Sequence, residues 1–161
     1  MPNRTMLTED VLNYIERSVL CWVATVDANG MPNVSPKEIF AAYDASTVLI
    51  ANIASPKTVR NLQANPQVCL SFINIFVQKG YKLRGTADIV RPTDACYREL
   101  EKPLLAFTQG AFTIRSIIAI QVTAVEPIIA PRYRFMAKET TEASQIAAAM
   151  QTYGVMAQPN E

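Results

Sequence analysis

Residues 51–62 read Ala-Asn-Ile-Ala-Ser-Pro-Lys-Thr-Val-Arg-Asn-Leu, an apolar run that passes into the start of a helix. Ser55 followed by Pro56 is typical of a helix N-terminus, because serine caps helices and proline is tolerated at the first helical position. Free backbone N–H groups and the helix dipole attract an anion there. Lys57 and Arg60 lie in the first turn, where the dipole disfavours cations by about 0.3–1 kcal/mol each. The segment therefore predicts an anion site, with simple solvation of both side chains as the alternative.

The rest of the chain is predicted to alternate strands with short helices. β-Branched and aromatic runs predict six strands, at 20–26, 31–43, 47–53, 68–75, 81–90 and 114–125. Asn29-Gly30 predicts a tight hairpin turn, and Trp22 is expected in the core. Helices are expected at 8–18, 55–65, from 93 onward and at 141–153, with Pro103 breaking or ending the third. The hairpin-like spacing favours an antiparallel barrel or strongly curled sheet.

The composition excludes several kinds of active site. The chain has 161 residues, 50% of them hydrophobic and 18% charged, which suits a single domain over residues 1–161. It contains no histidine, so Ser-His-Asp and Cys-His catalysis, His-ligated haem and His-containing zinc sites are excluded. Five glycines, at 30, 80, 85, 110 and 154, form neither a dinucleotide-binding G-x-G-x-x-G motif nor a P-loop.

Charge and cysteine content predict a protein of a reducing compartment. Fifteen Lys+Arg against fourteen Asp+Glu give a formal net charge of +1, which disfavours a nucleic-acid partner. Cys21, Cys69 and Cys96 are odd in number and widely spaced, so we expect buried free thiols and no metal site. No apolar stretch approaches the roughly 20 residues of a membrane span, and no secretory leader is recognised. We therefore expect a cytoplasmic protein with no membrane partner.

Two further segments carry candidate site residues. In 33–39, Pro36 interrupts a strand, which predicts an edge whose backbone can hydrogen-bond a planar heterocycle; protection of that edge against aggregation is the alternative. In 78–85, three cations surround Tyr81, and two of them share one strand face. That pattern suits a phosphorylated cofactor or a single-stranded nucleic acid, and a solvated outer face is the alternative.

Taken in chain order, these segments resemble the FMN-binding split-barrel family typified by pyridoxamine 5′-phosphate oxidase. The resemblance runs from about Leu20 to Val90 and includes the 27–30 turn, the Val-Ser-Pro-Lys run at 34–37, and the segments 48–62, 65–66 and 80–85. It implies a mainly β fold: a six-stranded antiparallel split β-barrel over about residues 8–130, flanked by helices, with a C-terminal extension and helix in 131–161. It also implies a homodimer with FMN at the subunit interface.

The resemblance also implies which residues hold the cofactor. Lys57 and Thr58 would hold the FMN phosphate, with Ser55 at the helix cap and Arg60 as a further candidate. The isoalloxazine ring would be bordered by residues of the interrupted strand, namely Ser35, Pro36, Lys37 and Glu38. The ribityl chain and ring would be lined by Ala51, Asn52 and Ile53, and approached from the next strand pair by Lys79, Gly80 and Tyr81.

The implied activity is that of an FMN-dependent oxidoreductase acting with a small-molecule electron donor or acceptor. The flavin carries hydride and electron transfer itself, so the missing histidine is no obstacle and no catalytic residue is identified. Residues 130–135 contain two arginines but lack the arginine and histidine motif of pyridoxamine phosphate oxidase, which leaves the substrate open. Three alternatives remain: a flavin carrier or sensor, a deazaflavin-dependent reductase, and an oligonucleotide-binding barrel that uses the 79–84 face, which the nearly neutral composition disfavours.

Overall fold

The computed structural model describes residues 5–108 and 110–157. Within them, seven strands form one antiparallel sheet in the order β2-β1-β5-β6-β7-β4-β3. The strands are β1 (Cys21–Val26), β2 (Pro32–Lys37), β3 (Phe40–Ala42), β4 (Thr47–Asn52), β5 (Gln67–Asn74), β6 (Lys79–Val90) and β7 (Ser116–Ile129). The helices are α1 (Glu9–Arg17), α2 (Pro56–Ala64), α3 (Tyr97–Thr108), α4 (Arg132–Phe135) and α5 (Glu142–Tyr153). The predicted mainly β, antiparallel fold is confirmed.

The two edge strands explain why the sheet closes into a split barrel. β2 and β3 lie at opposite ends of the strand order, yet only Glu38 and Ile39 join them along the chain. Two residues span less than about 8 Å, so the sheet must curl until its edges approach each other. The predicted single strand 31–43 is therefore two strands, and the count of six was one short. β2 pairs with β1, whereas β3 pairs with β4.

Inward-facing apolar side chains fill the barrel and hold α1 against it. Alternate residues of the central strands point inward, as strand geometry requires. Phe72, Leu70 and Leu83 are almost completely buried there, and Val11 and Ile15 of α1 pack against the same cluster. A second cluster lies under α3 and includes Leu104, Tyr97 and Ile117. Burial on this scale makes the barrel a rigid frame for whatever its loops and helix ends hold.

Local chemistry sets the bounds of α2. Pro56 is its first residue, Ser55 precedes it, and the helix ends at Ala64 before Asn65-Pro66, as predicted. The Asn61 side chain donates to the Thr25 hydroxyl over 3.0 Å, and both groups are buried. Leu62 packs into the barrel cluster. These contacts fix α2 against the interior side of β1.

Three predictions about single residues were wrong. Trp22 is 45% exposed, because its neighbours Cys21 and Val23 point inward and alternation turns Trp22 outward. Pro103 neither breaks nor ends α3, which continues to Thr108 with the adjacent Leu104 fully buried against the second cluster. Packing thus outweighs the one backbone hydrogen bond that proline removes. Of the three free cysteines, only Cys21 is buried, while Cys96 is exposed.

The chain after β7 folds back onto its own barrel. α5 begins at Thr141 with a capping box to Ser144 and ends at Gly154, whose φ is 65°. The predicted helix 141–153 is confirmed; residues 158–161 of the predicted extension and residues 1–4 of the predicted domain lie outside the described residues. Over residues 5–108 and 110–157, no helix has the length and apolar character needed to cross a lipid bilayer.

Candidate functional site

The N-terminus of α2 is open in a way that the N-termini of α1 and α5 are not. α1 and α5 are capped by threonine side chains and carry acidic residues in their first turns. α2 has no side-chain cap, no acidic residue in its first turn, and Lys57 there instead. The backbone N–H groups of Lys57 and Thr58 meet no acceptor among the described residues, whereas that of Val59 donates to Ser55 O. Two directed donors are therefore available to an anion.

Lys37 adds a buried positive charge at the same place. It is 6% exposed and is the only charged side chain buried in the described part of the chain. Its Nζ donates to Ser55 Oγ over 2.8 Å, to Ser35 Oγ over 2.5 Å and to Pro36 O over 3.2 Å. No carboxylate of the described residues lies within 4.0 Å of it. A buried ammonium without a counter-ion therefore lies beside the N-terminus of α2 and adds to the positive end of the helix dipole.

Asn52 fixes the geometry of this helix start. It ends β4 and is buried, and its Nδ2 donates to Ser116 Oγ of β7 over 2.9 Å. Its Oδ1 accepts the backbone N–H of Ser55 over 3.1 Å. The Asn52 amide therefore ties the first residue before α2 to the two strands beneath it. Sequence reasoning assigned Asn52 to the cofactor; its side chain in this structure supports the site from within the protein.

Burial shapes the protonation of the groups around Lys37. Desolvation lowers the pKa of Lys37, since a charged ammonium loses water on burial. Cys21 lies opposite Lys37 in the β1–β2 register, and burial raises the pKa of its thiol to about 12, opposed by the lysine charge. Cys21 is therefore a neutral thiol at physiological pH. The positive charge of Lys37 is not cancelled by a neighbouring thiolate.

The other residues predicted near the helix start differ in exposure. Lys57 and Arg60 are exposed, and Thr58 is almost completely buried. Ala51 belongs to the second core cluster, and Ile53 packs against that cluster while remaining partly exposed. These residues share one end of the barrel with Ser55.

Glu38 is exposed, and it faces a different feature. It lines a cleft formed with Leu12 and Ile15 of α1 and Phe40 of β3. That cleft lies beside α1. The other predicted residues of this segment, Ser35, Pro36 and Lys37, lie instead at the start of α2. Lys37 donates to Ser55 and to Ser35, and Pro36 contributes its carbonyl oxygen to Lys37.

Lys79, Gly80 and Tyr81 lie apart from the α2 start within one chain. Pro36 pairs with Trp22, Trp22 with Ser71, and Ser71 with Lys82. Three strand spacings, about 14 Å along the sheet, therefore separate β2 from the start of β6. Within one subunit, the candidate residues of β2, β4 and α2 lie together. Lys79, Gly80 and Tyr81 of β6 do not lie with them.

The side chains of Lys79 and Tyr81 are bound by residues of α1 and of the C-terminal segment, the part of the chain after β7. Lys79 forms an ion pair with Glu142 at 2.8 Å and lies over the Tyr133 ring, 4.4 Å from its centroid. Tyr81 donates to a carboxylate oxygen of Asp10. Gly80 is required by packing, since an added Cβ would overlap the backbone of Phe72.

Sequence reasoning missed the residues of the C-terminal segment that cover the β5–β6 turn. Tyr133 donates to Val77 O over 2.8 Å, and Gln145 donates to Gln78 Oε1 over 3.1 Å. The helix signals of α5 were readable, but nothing local in the sequence identifies the turn on which it docks. This segment covers its own barrel.

The positive charge of the basic strand face is partly compensated, and no metal site is found among the described residues. Lys82 and Arg84 both pair with Glu126 of the adjacent β7, so one carboxylate compensates half of the positive charge of these two side chains. This arrangement disfavours an extended phosphate-binding surface for a nucleic acid. In residues 5–108 and 110–157 no three Cys, Asp or Glu side chains are grouped to hold a metal ion.

Known proteins share this fold, and some of them are also related to this chain in sequence. The family described as pyridoxamine 5′-phosphate oxidase matches residues 7–129. An uncharacterised protein of Methanocaldococcus jannaschii is 33% identical over 84 residues, which cover 51% of this chain. The match spans 55% of that relative, about half its length.

Solved structures share the architecture. HupZ of Group A Streptococcus is 27% identical with a TM-score of 0.67, covering 76% of this chain and all of its own. An F420 reductase is 29% identical with a TM-score of 0.54, covering 74% of this chain and 98% of its own. An FMN-binding protein of Syntrophomonas wolfei, at 16% identity and a TM-score of 0.66, covers 77% of this chain and 87% of its own and shares the fold.

The family match spans the whole barrel, from the residue before the α1 cap to the last residue of β7. It includes the uncapped start of α2 and the buried lysine beside it. The chain therefore belongs to the pyridoxamine 5′-phosphate oxidase family, with the split-barrel fold that its two joined edge strands require.

Proposed function

We propose that this protein binds FMN with the phosphate at the N-terminus of α2 and acts as a flavin-dependent oxidoreductase. The observation that carries the proposal is the uncapped helix start, where two unpaired backbone N–H groups meet the buried, uncompensated charge of Lys37. A phosphate monoester carries nearly two negative charges at neutral pH and offers acceptor oxygens for such donors. The donor set fits that group, and the membership of the family favours it.

The chain's own residues would bind and orient the cofactor. The free backbone N–H groups of Lys57 and Thr58 would donate to the phosphate, and the exposed Lys57 ammonium would add a positive charge beside it. Pro36 and Glu38, at the end of β2, would border the ring, with Ala51, Asn52, Ile53 and Arg60 at the margins, whereas Ser35 and Lys37 lie at the α2 start. When bound, FMN supplies hydride and electron transfer, and the protein supplies orientation and exclusion of water.

A homodimer completes this proposal. The outer face of β1 and β2 exposes Trp22 and Val34, 45% and 58% exposed, next to Pro36 and Ala24 in the same rows. An apolar face of this kind on a soluble barrel is typical of a subunit contact. It adjoins the α2 start through β2, so a second copy seated there lies beside the cofactor. Lys79, Gly80 and Tyr81 would reach the site from the partner subunit.

A deazaflavin-dependent reductase is the second candidate. F420 is a deazaflavin, and an F420 reductase of the same fold is 29% identical to this chain. A flavin carrier or sensor remains the third, because no acid or base is identified beside the α2 start. For all three we propose a single domain acting in the cytoplasm, where free thiols such as the exposed Cys96 stay reduced.

The test is the identity of the small molecule that copurifies with the protein, followed by titration of the stripped protein with FMN, riboflavin and F420. Tightest binding of FMN supports the proposal, and tightest binding of F420 moves the assignment to the reductase. Turnover of a reduced nicotinamide by the FMN-loaded protein distinguishes an enzyme from a carrier. A folded protein with no measurable affinity for any of the three refutes the flavin assignment.

A further inference from the structure

The three N–H bonds of the Lys37 ammonium are all used inside the protein. They meet Ser35 Oγ, Pro36 O and Ser55 Oγ at 2.5, 3.2 and 2.8 Å. An ammonium group has three donors and no acceptor, so none remains for a ligand. Lys37 can therefore act on a bound anion through its charge and through the groups that it holds, but not by direct hydrogen bonding in this arrangement.

The hydroxyl groups of Ser35 and Ser55 remain free to donate to a ligand. Each oxygen already accepts from Lys37, so each O–H must point away from it to another acceptor. Neither Ser35 nor Ser55 donates to any acceptor among the residues described. Because both oxygens lie within 2.8 Å of one nitrogen, they are close enough for a single phosphate group to accept from both hydroxyls. One hydroxyl comes from β2 and the other from the residue before α2.

We propose that Lys37 is a positioning residue that holds the hydroxyls of Ser35 and Ser55 as paired donors to one phosphate group, so that the site selects phosphorylated flavin over unphosphorylated riboflavin. This inference rests on the proposed function. It moves Ser35 and Lys37 from the ring to the phosphate end of the cofactor, beside the free N–H groups of Lys57 and Thr58.

A purely structural role does not account for the charge. Burying an ammonium without a carboxylate costs several kcal/mol, and a neutral side chain could join the same serines without that cost. An anion at the α2 start would compensate the buried charge and strengthen both hydroxyl donors, since hydrogen bonds to ionised groups are the stronger ones. A phosphate bound at this point would therefore offset the cost of burying the charge of Lys37.

The test compares the affinities of FMN and riboflavin in Lys37→Met and in Ser35→Ala with Ser55→Ala. Methionine keeps the length and removes the charge and donors, and its apolar character suits the buried position. We expect the affinity for FMN to fall about 10- to 100-fold in each variant, as expected for losing hydrogen bonds to a charged group. Riboflavin affinity should change by less than about 3-fold, within the spread of surface effects.

A double-mutant cycle that combines Lys37→Met with the serine variants measures whether their effects on FMN affinity are coupled. Loss of packing alone would not produce such coupling. The serine substitutions should cost little further FMN affinity once Lys37 is gone, because the unheld hydroxyls no longer point at the phosphate. Equal losses for FMN and riboflavin, or additive losses in the cycle, overturn the inference. Wild-type protein that binds no FMN instead refutes the proposed function. If Lys37→Met does not fold, the serine variants alone test the inference through the ratio of their affinities for FMN and riboflavin.

Discussion

The ammonium of Lys37 lies 2.8 Å from the hydroxyl oxygen of Ser55, so a strand residue and the residue before α2 share one hydrogen bond across 18 positions of sequence. Ser55 consequently does not cap its own helix, and the first N–H groups of α2 stay free. The same contact brings a buried positive charge to the positive end of the helix dipole. Both effects favour an anion at this point.

Charge reversal at the helix start should weaken FMN binding. Lys57→Glu replaces an exposed cation in the first turn of α2 by an anion that repels the phosphate, so we expect a loss of about 10- to 100-fold in FMN affinity. Lys102→Glu makes the same charge change on the exposed side of α3 and is the matched control. Fluorescence titration with FMN measures both. Equal affinities in the two variants would show that the phosphate lies elsewhere.

A charge on the apolar sheet face should disrupt the proposed dimer. Trp22→Glu puts a carboxylate at the centre of the outer face of β1 and β2, where burial without a partner is costly. We expect a monomer by light scattering coupled to gel filtration, together with reduced FMN affinity. Val19→Glu, at a residue 84% exposed and outside that face, should stay dimeric. A wild-type monomer that still binds FMN contradicts the dimeric site.

Gly80 should be essential for folding whether or not it lies near a cofactor. Its missing Cβ lets β5 and β6 approach, and alanine there would overlap the backbone of Phe72. We expect Gly80→Ala to destabilise by about 3 kcal/mol or more, as severe overpacking does. Gly30→Ala, at a turn with φ +80° and open space around it, should cost about 1–2 kcal/mol. Urea unfolding measures both, and similar losses would be inconsistent with the close approach of the strands.

The C-terminal segment should loosen when its ion pair is removed. Glu142→Gln leaves Lys79 without its carboxylate, and an exposed pair of this kind contributes about 0.2–1 kcal/mol. We expect faster limited proteolysis between α4 and α5 with little change in global stability. Glu139→Gln, on an exposed residue with no ion pair among those described, is the control. Identical cleavage rates would mean that other contacts alone hold α5.

Alkaline pH should destabilise the α3 packing through Tyr97. Its hydroxyl lies 2.9 Å from Ile114 O and 3.0 Å from Glu101 Oε1, and burial together with that carboxylate raises its pKa to about 12. The folded state favours the neutral phenol, so this contribution is intact below about pH 10 and is lost as the pH rises toward 12. In urea unfolding, Tyr97→Phe should be less stable than wild type at neutral pH and should lose less stability on alkalinisation. An equal alkaline loss would exclude Tyr97 as the titrating group.

Local chemistry made the start of α2 and the hairpin turn predictable. Ser55-Pro56 and Gly30 carry their conformational preferences in the residues themselves, and the structure has α2 beginning at Pro56 and Gly30 at φ 80°. The division of 31–43 into two strands was not predictable in this way. β2 and β3 separate because they pair with different strands, which is a non-local choice.

The burial of individual side chains and the contacts between distant segments were likewise not predictable from the sequence. Trp22 was placed in the core from its apolar neighbours, yet which face of β1 points inward depends on the strands beside it. The burial of Lys37 depends on α2 beginning next to β2, although Ser55 lies 18 residues further along the chain. The residues that form the site could be nominated from the resemblance, but their mutual contacts could not.

Equilibrium titration of the stripped wild-type protein with FMN, using riboflavin as the comparator, tests the central claim most directly. Binding at the α2 start predicts that FMN binds with an affinity about 10-fold or more above that of riboflavin, because the phosphate contributes charged hydrogen bonds. The Lys57→Glu variant should lose that preference. A folded wild-type protein that binds both flavins equally, or neither, would contradict the phosphate site at Ser55, Lys57 and Thr58.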